Sequence, residues 1–179
     1  MSENNILGVI LAGGKSKRFG IDKTTAKLGS KSLIEHTVLK IQNYFKEILI
    51  ISSNEKNNFS NKNIFLTKDL IDGHLGPLVG VLTAMDWIEK NKKKYNWIAT
   101  FPCDTPFFNK GIIDVIKNYP KNSSKKLFFL KNGGRRHNIF GLWSMELKKV
   151  LLKDIEEGHR KVEDWANKIG SEIIEINNE

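Results

Sequence analysis

Apolar runs too short to cross a membrane alternate along this chain with stretches of helical spacing, and no other feature restricts the fold as much. Ile6–Leu11, Glu47–Ser52, Ile64–Leu66 and Trp97–Phe101 read as buried strands. Between them, residues 32–45 carry Leu33, Ile34, Thr37, Val38, Ile41 and Phe45 on one stripe of a helix. Gly76-Pro77 opens another helix that runs to about Ile88, because proline suits a first helical position and Leu78, Val79, Leu82 and Met85 recur at helical spacing. Gly111–Lys117 predicts a short helix. Further on, Leu127–Leu130 and Ile139–Trp143 predict strands flanking a Gly133-Gly134 turn, Met145–Ile155 and Arg160–Lys168 predict helices, and Glu172–Ile176 predicts a last strand. Strands separated by helices imply right-handed crossovers. The expected architecture is therefore α/β, with a mainly parallel sheet covered on both faces. A length of 179 residues suits one domain spanning 1–179.

In open α/β sheets, ligands bind beyond the carboxyl ends of the strands. The first strand ends in Ala12-Gly13-Gly14-Lys15-Ser16-Lys17-Arg18-Phe19-Gly20, with Asp22-Lys23 just after. Two glycines followed by a cluster of cations suit a polyphosphate, because backbone N–H groups can approach its oxygens and the cations neutralise them. The stretch is not a Walker A loop, since Val9 stands where that loop needs its first glycine, and no G-x-G-x-x-G is present. A plain strand-to-helix turn beside a solvated basic face is the alternative reading.

The fourth strand runs into Pro102-Cys103-Asp104-Thr105-Pro106. A carboxylate held between two prolines at a strand end suits Mg²⁺ ligation, and suits a helix cap or turn equally well. Asp69 follows the third strand and is favoured over Asp72, which lies in an Asp-Gly turn, for contact with a base edge or ribose. Ser52 and Asn54 leave the second strand with hydroxyl and amide groups able to meet a purine edge, or to make an ordinary turn. Cys103 reads as a core residue. The histidines show no zinc-ligand spacing, and His137 after Arg135-Arg136 is the one placed to face an anionic substrate. The segments after Leu11, Ile51, Leu66 and Phe101 are expected to converge on one crevice.

The formal charge is +9, but the lysines cluster with asparagines at expected helix ends and no nucleic-acid module accompanies them, so nucleic acid is not the expected partner. Small anionic substrates would be drawn by the same field. A single cysteine excludes an intramolecular disulfide and suits a reducing compartment. With no apolar run of membrane-spanning length and no signal segment at Met1–Asn5, a cytoplasmic protein without membrane attachment is expected.

In order and spacing, the segments at 11–23 (LAGGKSKRFGIDK), 76–80 (GPLVG), 102–107 (PCDTPF), 140–143 (FGLW) and 158–165 (GHRKVEDW) resemble the molybdenum cofactor guanylyltransferases, the MobA-like members of the nucleotide-diphospho-sugar transferase superfamily. The first segment is shared across that superfamily, and the last two point to the molybdenum branch. The resemblance implies a three-layer, Rossmann-like α/β/α sandwich and a Mg²⁺-dependent transfer of GMP from GTP to the phosphate of Mo-molybdopterin, with release of pyrophosphate. Acceptor molybdoenzymes or cofactor-carrier proteins would be the macromolecular partners.

By the same resemblance, Leu11, Ala12, Gly13 and Gly14 belong to the nucleotide loop, with Arg18 and Lys23 near the triphosphate. Ser52, Asn54 and Asp69 match nucleotide contacts, and Asp104 matches the metal ligand. Arg18, Lys23 and Asp104 are the catalytic set, while Arg135, Arg136, His137 and Arg160 are candidates for the pterin phosphate. The chain departs from the family pattern at Phe19, at Thr24–Lys27 and in ending at Ile176-Asn177-Asn178-Glu179 without an Asn-x-Asn-Thr-Pro segment. The alternatives are a transferase of the same fold that uses CTP or UTP with a sugar or alcohol phosphate, and a non-catalytic nucleotide-binding protein.

Overall fold

The computed structural model describes residues 5–13, 26–53, 59–73, 75–118, 123–132 and 134–176. Strand β1 (Ile6–Leu11) lies at the centre of the sheet, hydrogen-bonded in parallel to β4 (Ile48–Ile51) on one side and to β6 (Trp97–Pro102) on the other. A short hairpin, β2 (Lys27–Leu28) with β3 (Lys31–Ser32), stands apart from the sheet and was not foreseen from sequence. The seven-stranded sheet also takes in β5 (Ile64–Thr67), β7 (Leu127–Asn132), β8 (Arg135–Ser144) and β9 (Glu172–Ile176), in the order β5-β4-β1-β6-β8-β7-β9. Only β8 runs against the others, so the expected mainly parallel sheet is present.

Alternation along β1 builds both layers of core. Leu7 and Val9 pack on one face with α2 (Pro77–Lys90), α4 (Lys148–Glu156) and α5 (Val162–Ile169). Ile10 and Ala12 pack on the other, with α1 (Leu33–Ile41) and α3 (Gly111–Asn118). This is the three-layer α/β/α arrangement. Each fully buried Leu, Ile or Phe in these layers contributes about 1.5–3 kcal/mol relative to exposure. The centre tolerates no side chain at residue 8, because a Cβ on Gly8 would come within 2.9 Å of the Phe45 ring.

Helix α1 begins at Leu33 because Ser32 and Glu35 form a capping box. Glu35 N–H donates to Ser32 Oγ at 3.2 Å, and Ser32 N–H donates to Glu35 Oε2 at 2.6 Å. It ends at Ile41, four residues short of the sequence expectation, in a turn that carries Phe45 back into the core. The helix expected from Met145 opens as a 3₁₀ turn, Met145–Leu147, started by Ser144, whose Oγ accepts from Glu146 N–H. No helix among the described residues is long and apolar enough to cross a membrane.

Candidate active site

The carboxyl ends of the parallel strands are tied together by main-chain bonds. Ala12 N–H donates to Ile51 O at 2.9 Å, Ser52 N–H to Thr67 O at 2.9 Å, and Cys103 N–H to Leu11 O at 3.4 Å. Since Leu11 pairs with Pro102, the chains that carry Gly13 and Asp104 leave the sheet side by side.

Among the described residues, a cavity lies on each face of this edge. On the α2 side, a cavity of about 170 Å³ is lined by Leu11, Gly13, Ile51, Asp69 and Ile139 together with the start of α2. Helix α2 opens on Gly76, whose φ of 91° is the left-handed region that glycine reaches without strain, and Pro77 then fixes the first helical residue. The helix therefore aims its positive end into a cavity that also holds a carboxylate. Glycines at 13 and 80 leave the space for the neighbouring side chains, Gly13 for Asp69 and Gly80 for Leu11. A Cβ on Gly13 would lie 3.1 Å from Asp69 Oδ2, and one on Gly80 would lie 3.8 Å from Asp69 Oδ1 and 2.8 Å from Leu11 Cδ2. The loop carrying Asp69 is pinned to α2 through Thr83, whose Oγ1 accepts from Leu70 N–H at 2.9 Å and donates to Val79 O at 2.7 Å.

On the α1/α3 side, a larger cavity of about 490 Å³ holds Asp104 on its rim, with Asn109, Asn132 and His137 as further polar groups. Its walls are aromatic. Phe108 and Phe140 meet edge to face at 5.2 Å, and Phe107 stands 73% exposed at the mouth, with its ring 6.2 Å from that of His36. Lys40 holds this wall by donating to Pro106 O at 3.0 Å, with its ammonium 4.8 Å from the Phe108 ring centre.

Among the described residues, those singled out from sequence line two cavities on opposite faces of the edge. Leu11, Gly13 and Asp69 share the smaller one and Asp104 lies in the larger. Ala12 and Ser52 are both buried, and neither lines a wall of these two cavities. Gly14, Arg18, Lys23 and Asn54 lie outside the described residues. Of the cations considered for the acceptor phosphate, His137 lines the Asp104 cavity. Arg136 instead lies on the α5 side, its guanidinium 5.4 Å from the Phe129 ring centre, with Nε donating to Asn138 Oδ1 at 2.6 Å. Arg160 Nη1 donates to Ile155 O and His159 O, closing the end of α4, and the Arg160 carbonyl lies against Gly76. Cys103 is buried in the α1/α3 core, as expected.

Thr83 and Ile139 carry no signal in the sequence, and Gly80 was quoted only within the GPLVG segment, with no role given. Gly80 left a signal, because a glycine inside a helix costs about 1 kcal/mol relative to alanine and so marks a close approach.

The donor chemistry of the larger cavity suits a hard divalent ion. Mg²⁺ binds through one or two carboxylates and completes its shell with water and substrate phosphate, and Asp104 is the acidic side chain among the described residues lining this cavity. A second acidic group, Asp154 with Glu157 and His159, brings its ligand atoms within 4.8 Å of one another. It is a structural latch: the buried Asp154 carboxylate accepts from Trp165 Nε1 at 2.8 Å and from Lys168 Nζ at 2.6 Å, joining α4 to α5.

Residues 8–170 match the model of the MobA-like NTP transferase domain. The chain is 32% identical over 175 residues to a molybdenum cofactor guanylyltransferase of Haemophilus influenzae, covering 97% of this chain and 88% of that protein. A molybdenum cofactor guanylyltransferase of Mesorhizobium japonicum is 30% identical over 183 residues, covering 96% and 83%. In structure, the chain resembles molybdopterin-guanine dinucleotide biosynthesis protein A from Archaeoglobus fulgidus, with a TM-score of 0.75, 18% identity and coverage of 94% and 83%. It also resembles 2-C-methyl-D-erythritol 4-phosphate cytidylyltransferase from Francisella tularensis, with a TM-score of 0.69, 14% identity and coverage of 96% and 90%, a likeness of fold alone. With a family match across most of its length and these full-length relatives, the chain belongs to the MobA-like NTP transferase family of nucleotidyltransferases.

Proposed function

We propose that this protein transfers GMP from GTP to the terminal phosphate of Mo-molybdopterin, forming the guanine dinucleotide and releasing pyrophosphate. The observation that carries this reading is the pair of cavities on opposite faces of one sheet edge, one lined by Leu11 and Gly13 and the other by Asp104, on chain segments tied by the Cys103–Leu11 bond. A reaction between two phosphorylated substrates needs two binding regions whose phosphates meet at a common border.

We assign the donor nucleotide to the smaller cavity and its border. Asp69 is an acceptor-only carboxylate suited to the N–H edge of guanine or to ribose hydroxyls, and the α2 N-terminus faces the same space. Arg18 and Lys23 are assigned to the triphosphate, with Gly13 and Gly14 allowing the backbone close to it. The larger cavity is assigned to the acceptor, a planar heterocycle suited to walls made by Phe107, Phe108 and Phe140.

In the reaction, an oxygen of the acceptor phosphate attacks the α-phosphorus of GTP, a new P–O bond forms, and the bond to the β,γ-pyrophosphate breaks with its electron pair leaving on pyrophosphate. The attacking phosphate is already ionised at neutral pH, so the protein need supply no general base. What it supplies is alignment and positive charge against the mutual repulsion of two anions. Asp104 would hold Mg²⁺, which when bound would offset phosphate charge beside the larger cavity.

The test is incubation of purified protein with Mg²⁺, a molybdopterin-loaded acceptor protein and GTP, with CTP and UTP in parallel. Formation of the guanine dinucleotide and pyrophosphate from GTP is the expected result. Turnover with CTP or UTP in preference to GTP overturns the proposal, as does GTP binding without turnover.

A further inference from the structure

The pairing of β7 with β8 breaks at one place. Phe129 pairs with Gly141, and its neighbour Leu130 pairs with His137, so Asn138, Ile139 and Phe140 have no partner on β7. The last pair between β6 and β8 is Thr100 with Gly141, which sets the inserted residues beside the end of β6, just before Asp104. The insertion faces both ways, because Ile139 lines the smaller cavity and Phe140 the larger.

The fully buried Thr100 holds this bulge. Its Oγ1 accepts from Trp143 Nε1 at 2.9 Å, which leaves its own O–H to donate to Ile139 O at 2.6 Å. Trp143 is itself fixed, stacked on Trp165 at 6.0 Å, and Trp165 donates to Asp154. The other end of the bulge is held by the bond from Arg136 Nε to Asn138 Oδ1. Gly141 lets the strand rejoin the ladder, since a Cβ there would lie 2.9 Å from Trp143 Nε1 and 3.1 Å from Phe128 O.

We infer that the Asn138–Phe140 bulge is the wall that sets the position of the acceptor cavity relative to the donor cavity, and that Thr100, through its bond to Ile139 O, is the residue that positions it. This rests on the proposed assignment of the two cavities to donor and acceptor. Misplacement of reacting groups by about 1 Å costs on the order of 10²-fold in rate, so a loosened wall should lower turnover more than it weakens the binding of either substrate.

The test uses Thr100→Val, which keeps the shape and removes the hydroxyl, with Thr100→Ser as the conservative variant and Asn138→Ala loosening the same bulge from its solvent side. Amide hydrogen exchange at 138–141, measured without substrates, is expected to accelerate at least about 10-fold in Thr100→Val, while β1 and β4 stay protected. In GMP transfer, kcat is expected to fall about 10²-fold with KM for GTP changed by less than about 3-fold; Thr100→Ser recovers most of the rate, and Asn138→Ala shows the same split more weakly. Unchanged exchange at 138–141 overturns the inference, and so does faster exchange with kcat intact. If Thr100→Val does not fold, Asn138→Ala decides by the same readings. A wild-type protein that exchanges as described but transfers no GMP refutes the proposed function, and in that case the exchange data alone decide whether Thr100 holds the bulge.

Discussion

Asp69 and Gly13 lie so close that a Cβ on residue 13 would stand 3.1 Å from Asp69 Oδ2 and push the carboxylate aside by a few tenths of an ångström. The carboxylate of one strand-end loop thus lies directly against the backbone that leads into the glycine and lysine loop. Gly13→Ala is expected to fold normally, because the atom it displaces is the end of a side chain, and to weaken GTP binding about 10-fold, a cost of about 1.4 kcal/mol. Titration calorimetry with GTP checks this. An unchanged affinity would remove Asp69 from the nucleotide site.

Thr83 is the anchor behind that carboxylate. Thr83→Val should cost about 1 kcal/mol in unfolding free energy, since Leu70 N–H loses its acceptor, and should raise the dissociation constant for GTP. Denaturant unfolding and GTP titration on the same preparation measure the two effects.

Asp104 is exposed, so replacing it has little to cost the fold. Asp104→Asn is expected to leave the unfolding free energy within about 0.5 kcal/mol of wild type and to lower GMP transfer by about 10² to 10³-fold. A Mg²⁺ titration of activity should shift to higher concentration in any residual rate. Near-normal turnover would exclude Asp104 from metal binding.

The Asp154 latch gives the fold an acid-sensitive joint. Burial alone would raise the Asp154 carboxyl pKa, but hydrogen bonds from Lys168 and Trp165 and the positive charge of Lys168 hold it below the usual carboxylate range. The folded state therefore binds this proton less tightly than the unfolded chain. The resulting stabilisation is complete above the unfolded value of about 4 and is lost as pH falls through that value toward the lower folded one. Asp154→Asn should be less stable than wild type at pH 7, and its stability should fall less steeply between about pH 5 and pH 2. Parallel slopes in thermal unfolding across that range would show that the latch does not titrate as described.

Much of the fold was legible because strand and helix periodicity are local properties. Ile6–Leu11 and Glu172–Ile176 fall where the apolar pattern put them, and Pro77 starts its helix for a reason visible in two residues. The errors lie at ends set by neighbours. The helix α1 stops at Ile41 because Phe45 is needed against Gly8, a contact between residues distant in the chain. The short β2–β3 hairpin carries too few residues to leave a periodic signal.

The candidate site was legible as chemistry and not as arrangement. Gly13, Asp69 and Asp104 could be picked out because each follows a strand that had to end at the same edge of a parallel sheet, and Leu11 came from the family resemblance. Their placement on opposite faces was not, because a residue beyond a strand end can turn toward either face, and the packing of α2 on one side and α1 with α3 on the other decides which.

The amino-acid order by itself determined the layered α/β architecture and which side chains carry charge to its binding edge, since both depend on spacing along the chain. Tertiary structure alone decided that Thr83 and Thr100, unremarkable in sequence, hold the two walls of the site. Each hydroxyl bridges segments that only folding brings within hydrogen-bonding distance.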